Sequence, residues 1–213
     1  MNEYNFIFIH IMTRTTINPN KQSALMTAAH DVFVANGYKK TNIADITTKA
    51  GMAVGSFYNY FESKEDIFLR VFVEENTRVR QRVVEVIDWQ APAEQLVNDL
   101  FSMMLGATRR NNILTEWTNP EIGLRLQQYY RSETGKTDNS FHQFILKVFR
   151  ERLADMGYDV AEIVRIIKVY ELLYAIDCQP AVNRLPDHEE NMQTLLRYFL
   201  KGVAIEDTND AEK

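Results

Sequence analysis

Three side chains in one short stretch of the sequence carry groups suited to contacting a nucleic acid. They are the phenol of Tyr58, the amide of Asn59 and the ammonium of Lys64. A phenol or an ammonium donates to phosphate oxygens, whereas an asparagine amide can pair with the edge of adenine. These groups can act only if short helices hold them at the surface in a fixed arrangement.

Two short helices joined by a glycine-containing turn are predicted to provide that arrangement. The first covers residues 42–50, with Thr41 or Asn42 as its N-cap, and the second covers residues 54–60. Gly51 begins the turn because its backbone adopts a conformation that other residues resist. The pattern is typical of a helix-turn-helix, whose second helix enters the major groove of DNA.

The surrounding residues resemble the TetR family of transcriptional regulators. The match consists of GY at 37–38, TNI at 41–43, Ile46, AGMA at 50–53, GSFYNYF at 55–61 and SKE at 63–65, in the family's order and spacing. It extends over residues 24–72. The remainder resembles the family only in its length and helical character.

The resemblance implies roles for individual positions. Lys64 and the start of the helix at 42–50 would hold phosphates, and the Tyr58 phenol would donate to the DNA backbone. The full set of expected DNA contacts is Thr41, Asn42, Val54, Gly55, Ser56, Phe57, Tyr58, Asn59, Tyr60 and Lys64. Two departures weaken the motif: Ala53 replaces a frequent capping serine, and Val54 replaces a frequent basic residue.

Composition and charge fit this interpretation. Hydrophobic residues make up 46% of the 213 residues and charged residues 25%, enough for a packed core and a polar surface. The net charge is −5, but it is unevenly distributed. Residues 1–70 carry 7 basic and 6 acidic side chains, whereas the remaining residues carry 17 basic and 23 acidic side chains. An acidic body would be repelled by DNA, so the N-terminal part is expected to approach it.

Enzymatic and metal-dependent functions are not expected. The four histidines show no ligand spacing, and the single cysteine, Cys178, cannot form a thiolate metal site or an intramolecular disulfide. The sequence after His188 begins like a zinc-protease helix but lacks the second histidine. We therefore expect no catalytic residues, no metal and no cofactor.

The N-terminal residues 6–11 are apolar but too few to cross a membrane, and no cleavage site follows them. We interpret residues 1–18 as an extension, with Met12 as an alternative start to Met1. A cytoplasmic protein without membrane contact is expected.

Apolar residues recur at helical spacing almost throughout, which predicts an all-α fold. The predicted domains are a helix-turn-helix domain at 19–66, a ligand-binding and dimerisation domain at 67–205, and an acidic tail at 206–213. Further helices are expected near 92–108, 120–132, 139–156, 160–177 and 188–203, with a loop at 135–139.

The helix at 160–177 has an apolar arc too wide for one contact within a monomer. Together with the helix at 188–203 it predicts a homodimer interface, for which the alternative is a thick intramolecular core. The expected interface residues are Ile163, Ile167, Tyr170, Met192, Leu195, Leu196 and Phe199.

A small-molecule effector is expected in an apolar cavity with a few hydroxyl groups. The candidates, each alternatively an ordinary core residue, are Met103, Met104, Trp117, Tyr129, Tyr130, Phe141, Phe144, Tyr170 and Tyr174. The resulting hypothesis is a dimeric, ligand-responsive repressor that binds a near-palindromic operator in double-stranded DNA. The alternative is a helical small-molecule binding or interaction protein that does not bind an operator.

Overall fold

The computed structural model describes residues 18–177, 179 and 185–205, and every regular element within them is helical. This confirms the all-α prediction. The chain divides into two compact units, Met1–Glu74 and Glu75–Lys213. The predicted N-terminal extension, the acidic tail and Cys178 lie outside the described residues, apart from Asn18.

The first unit contains α1 (Pro19–Lys40), α2 (Ile43–Lys49), α3 (Val54–Phe57) and the beginning of α4 (Lys64–Val86). The Asn18 side chain caps α1 by accepting from Asn20 N at 3.0 Å. Gly37 interrupts α1 with φ of 72°, as expected for a glycine that ends a regular helix. The structure thus places the predicted helices in order, although α3 ends earlier than predicted.

Apolar side chains from all four helices fill the first unit's core. The Phe33 and Phe68 rings meet edge to face at 4.7 Å, an arrangement that aromatic pairs favour. The fully buried side chains here include Leu25, Ala29, Phe33, Ile46, Phe57, Phe61, Ile67 and Phe68. Helices α1 and α4 therefore each direct an apolar face into this core.

The second unit begins within α4 and contains α5 (Ala93–Arg109), a 3₁₀ helix (Leu114–Thr118), α6 (Gly123–Arg131), α7 (Glu133–Asp138), α8 (Ser140–Asp155), α9 (Val160–Asp177) and α10 (His188–Ile205). No helix in the described ranges is both long and apolar enough to cross a membrane.

The loop predicted at 135–139 is wrong, because most of it belongs to α7. The Ser132 hydroxyl caps α7 by accepting from Gly135 N at 3.0 Å. A Cβ on Gly135 would lie 2.0 Å from the Tyr129 carbonyl oxygen, so the glycine permits a close helix approach rather than a loop.

A cluster of α8 and α9 side chains forms one part of the second unit's core. Ile163 and Ile167 are 7% and 6% exposed and pack with Leu146 and Leu153. Their assignment to a dimer interface is therefore wrong: these two residues lie on the face of α9 that packs against its own chain.

Candidate DNA-binding interface and effector cavity

The start of α2 is fixed by a reciprocal capping arrangement. The Asn42 side chain accepts from Asp45 N at 2.9 Å, and the Asp45 carboxylate accepts from Asn42 N at 3.0 Å. Thr41 is wrong as a phosphate contact, because its side chain is 2% exposed and its hydroxyl donates to Gly37 O at 2.8 Å. Asn42 is exposed at this helix start.

The turn between α2 and α3 has the predicted glycine geometry. Gly51 has φ of 66°, in the left-handed region, and Met52 N donates to Thr47 O at 2.8 Å to close the turn. Ala53 is the N-cap of α3 and makes no side-chain hydrogen bond to it. The sequence interpretation of Ala53 as an uncapped start is confirmed.

The short helix α3 has one buried side chain and an exposed surface around it. Phe57 is fully buried and its ring centre lies 5.6 Å from that of Phe61, so its assignment as a DNA contact is wrong. Val54 and Tyr58 are 44% and 58% exposed. Gly55 and Asn59 are also exposed, whereas Ser56 and Tyr60 are half-buried.

Lys64 is held against the end of α1. Its ammonium donates to Tyr38 O at 3.1 Å and lies 4.1 Å from the centre of the Tyr38 ring. The Tyr38 hydroxyl in turn donates to Glu65 at 2.8 Å. The pKa of Glu65 is lowered by a hydrogen bond from the residue's own backbone N–H and by the hydrogen bond from the Tyr38 hydroxyl. Lys64 thus ties α4 to α1, and it remains half-exposed.

Two further cations lie beside this site and were missed in the sequence interpretation. Lys39 and Lys40 occupy the last turn of α1 and are both exposed. They immediately precede the capped start of α2. The signal was present in the sequence, since adjacent lysines before a helix start are suited to phosphate contact.

A cavity of about 180 Å³ lies within the second unit, and its lining is almost entirely apolar. Its walls come from α5, α8, α9, α10 and the segment before α5: Trp89, Leu96, Val97, Leu100, Ile145, Val148, Phe149, Arg152, Leu153, Met156, Tyr170, Leu196, Leu200 and Val203. Of the nine predicted pocket residues, only Tyr170 lines this cavity.

The other predicted pocket residues make contacts elsewhere in the same unit. Trp117 and Tyr129 each meet the Tyr130 ring, and Tyr129 donates to Asp138 at 3.0 Å. Phe144 packs on Trp89, and Phe141 lies under Arg80. Tyr174 stacks on His142 at 4.3 Å, and Met103 and Met104 are half-buried on α5. These eight residues are absent from the lining, because helix spacing identifies apolar side chains but not the gap between them.

The predicted dimer residues fall into four groups. Ile163 and Ile167 are core, whereas Tyr170 and Leu196 line the cavity. Met192 and Phe199 are half-buried on α10. Leu195 is 44% exposed, and we use the term exposed apolar strip for this residue together with the other large apolar side chains that are exposed on α9 and α10: Val160, Val164, Val169, Leu172 and Tyr198.

Within the described ranges, no group of three or more histidine, cysteine, aspartate or glutamate side chains is placed to hold a metal ion. The local geometry is instead a capped helix, a left-handed glycine turn and a short helix with an exposed outer face. This fold and site define a helix-turn-helix protein.

Comparison with known proteins shows which family the helix-turn-helix region resembles. Residues 25–71 match the family of bacterial regulatory proteins named tetR. The chain is 32% identical over 112 residues to the fatty acid metabolism regulator protein of Bacillus subtilis (strain 168), covering 51% of this chain and 57% of that protein. It is also 32% identical over 87 residues to the transcriptional repressor KstR2 of Rhodococcus jostii (strain RHA1), covering 39% of this chain and 43% of that protein.

Among solved structures, FadR from Bacillus subtilis in complex with stearoyl-CoA aligns with a TM-score of 0.48 and 20% identity, over 85% of this chain and 96% of that one. The chain spans about half the length of the two relatives named above. The match to the tetR family of bacterial regulatory proteins thus covers residues 25–71, the helix-turn-helix region of this chain.

Proposed function

We propose that this protein is a ligand-responsive transcriptional repressor that binds a near-palindromic operator as a homodimer in the cytoplasm. The observation that carries the proposal is the outer face of α3, where Val54, Tyr58 and Asn59 are exposed while Phe57 anchors the helix from beneath. The match of residues 25–71 to a family of bacterial regulatory proteins supports it, as do relatives named as a metabolism regulator and a repressor.

The exposed groups divide by chemistry into two kinds of contact. Asn59 pairs with adenine, and Val54 packs on a thymine methyl in the major groove. Tyr58, Lys39 and Lys40 contact the phosphate backbone, which fixes the position of α3 without selecting a sequence. The exposed strip on α9 and α10 joins two protomers, so that two copies of α3 lie roughly 34–36 Å apart, about one turn of DNA.

The effector occupies the apolar cavity of the second unit. A cavity of about 180 Å³ is comparable to an engineered apolar cavity of roughly 150 Å³ that binds benzene. One relative is named for fatty acid metabolism, and one similar structure holds stearoyl-CoA, which supports an effector with an apolar body. Such a ligand reduces operator affinity only to the extent that it prefers the conformation that binds DNA less well.

The test is a selection of bound duplexes from random DNA, followed by fluorescence anisotropy with the selected site. We expect a two-fold-related consensus and an affinity that falls steeply with salt. Asn59→Ala should relax the preference at one base position in each half-site. An unchanged consensus would remove Asn59 from base recognition.

The second candidate function is a helical small-molecule binding protein without an operator. The cavity alone is compatible with it. The same selection discriminates between the two, because a binding protein of this kind would enrich no consensus and would show no preference over random duplex.

A further inference from the structure

A group of buried and half-buried polar side chains lies next to the cavity, and the proposed function has not used it. We call it the Asn139 cluster; it consists of Asn76, Arg80, Asn139, His142 and Tyr174, all in the second unit. Asn139 is 6% exposed and connects its members. The side-chain oxygen Oδ1 of Asn139 accepts from Arg80 and from the backbone N–H of His142. The side-chain nitrogen Nδ2 of Asn139 donates to the Tyr174 hydroxyl at 3.0 Å.

Arg80 carries a half-buried positive charge that is bonded only to neutral groups. Its Nε donates to Asn76 Oδ1 at 2.9 Å and its Nη1 to Asn139 Oδ1 at 3.3 Å, while the guanidinium lies 5.1 Å from the centre of the Phe141 ring. In the part of the chain that the structure describes, no carboxylate forms an ion pair with it. A cation withdrawn from water is costly unless an anion compensates for it.

His142 adds an unsatisfied nitrogen to the same place. The residue is 5% exposed, and its Nδ1 is buried without a hydrogen-bond partner. Burial lowers the pKa of His142, Arg80 and Lys136 lower it further, and only Glu171 raises it. The ring is therefore neutral at pH 7, with one N–H to donate. A buried polar atom left unpaired destabilises the protein, and a hydrogen bond to a bound ligand can recover that loss.

The cluster adjoins the cavity through Tyr170 and Ile145. Tyr170 lines the cavity, and its ring is stacked 6.0 Å from that of His142. Ile145 also lines the cavity and lies one helical turn after His142 on α8. A ligand in the cavity whose end passes the Tyr170 ring would therefore reach His142, and Asn139 links His142 to Arg80.

We propose that Arg80 and His142 bind the carboxylate of an amphipathic effector whose apolar body fills the cavity. This inference rests on the proposed effector site and specifies the class of ligand. The guanidinium supplies a charge-assisted hydrogen bond, and the neutral imidazole donates a second one. Arg152, the one charged residue in the cavity lining, donates its Nη1 to the carbonyls of Trp89 and Ala91 at 3.2 Å each, and replacing each arginine separately distinguishes its contribution from that of Arg80.

The test compares two probes of equal chain length, octanoate and octan-1-ol, by titration calorimetry with the full-length protein at pH 7. Octanoate is expected to bind roughly tenfold or more tightly than octan-1-ol, the advantage of a hydrogen bond to a charged group. Arg80→Gln and His142→Phe should each remove most of that preference without changing the affinity for octan-1-ol, and Arg80→Lys should retain part of it.

The controls are Arg150→Gln on the exposed surface of α8 and Arg152→Gln in the cavity lining. Both should keep the preference for octanoate. Equal affinities for the two probes in the wild type, no binding of either, or loss of the preference in Arg152→Gln but not in Arg80→Gln would overturn the proposal. Operator affinity without any probe, measured on the same variants by anisotropy, reports separately whether the proposed DNA-binding function holds.

Discussion

At the scale of single residues, the candidate interface depends on which side of α3 each side chain occupies. Phe57 and Tyr58 are neighbours in sequence, yet the first is fully buried and the second is 58% exposed. The buried phenylalanine fixes the helix, and the exposed tyrosine and Asn59 are left to meet a partner. One aromatic residue therefore supplies stability and the next supplies the proposed contact.

The Tyr58 hydroxyl can be tested without disturbing the fold. Tyr58→Phe should weaken binding to selected and random duplexes alike, by about five- to tenfold, because it removes one hydrogen bond to a phosphate. The measurement is fluorescence anisotropy at several salt concentrations. Tyr129→Phe is the matched control, since that phenol donates to Asp138 in the second unit. Equal losses in both variants would exclude a specific role for Tyr58.

His142 predicts a pH dependence of stability. Because burial keeps its pKa below the usual 6.5, the unfolded chain takes up a proton at a higher pH than the native protein does. The free energy of unfolding should therefore decrease as the pH falls below 6.5. Urea unfolding of the wild type and His142→Phe at pH 7.5 and 5.5 measures this. A decrease of the same size in both would show that His142 is not its cause.

At the scale of secondary structure, the two short helices differ in how they begin. α2 has a reciprocal cap between Asn42 and Asp45, whereas α3 begins at Ala53 without a side-chain cap. Four residues cannot sustain an isolated helix, because nucleation is unfavourable. The burial of Phe57 and the closed turn at Gly51 are what hold α3 in place.

This difference predicts opposite effects of two capping substitutions. Asn42→Ala should lower the free energy of unfolding by about 1 kcal/mol, because it removes a cap that accepts from Asp45 N. Ala53→Ser should raise it by roughly 0.5–1 kcal/mol, because the extended backbone at this position suits an N-cap. Urea titration measures both changes; no gain in Ala53→Ser would mean that the serine hydroxyl does not cap α3.

At the scale of the whole molecule, the exposed apolar strip on α9 and α10 is the feature that a monomer does not explain. Its side chains include Val164, Leu172, Leu195 and Tyr198, each at least 44% exposed. Single exposed apolar side chains are ordinary, but several on neighbouring turns of two helices suggest a partner surface. A second copy of this chain is the partner that the proposed two-fold operator requires.

Leu195→Glu should produce monomers with little affinity for the operator, because it places a charge in the proposed contact. Leu196 is unsuitable for this test, since it lines the cavity. Leu124→Glu is the control, as this leucine is 51% exposed on α6, away from the strip. Sedimentation velocity reports the oligomeric state, and a Leu195→Glu protein that still sediments as a dimer would place the interface elsewhere.

The sequence alone determined the helical class and the helix-turn-helix. Apolar spacing identified the all-α class, the glycine at 51 identified the turn, and residues 41–42 identified the start of α2, where Asn42 accepts from Asp45 N at 2.9 Å. These features are local: each depends on residues within a few positions of one another, so spacing and residue type suffice to predict them.

Only the tertiary structure decided which apolar side chains face the core, the cavity or the outside. α9 is apolar over so much of its circumference that its sequence could not separate core Ile167 from cavity-lining Tyr170 or exposed Leu172. The cavity and the Asn139 cluster likewise join residues far apart in the chain. Such surfaces arise from the packing of whole helices against one another, which periodicity along a single helix does not encode.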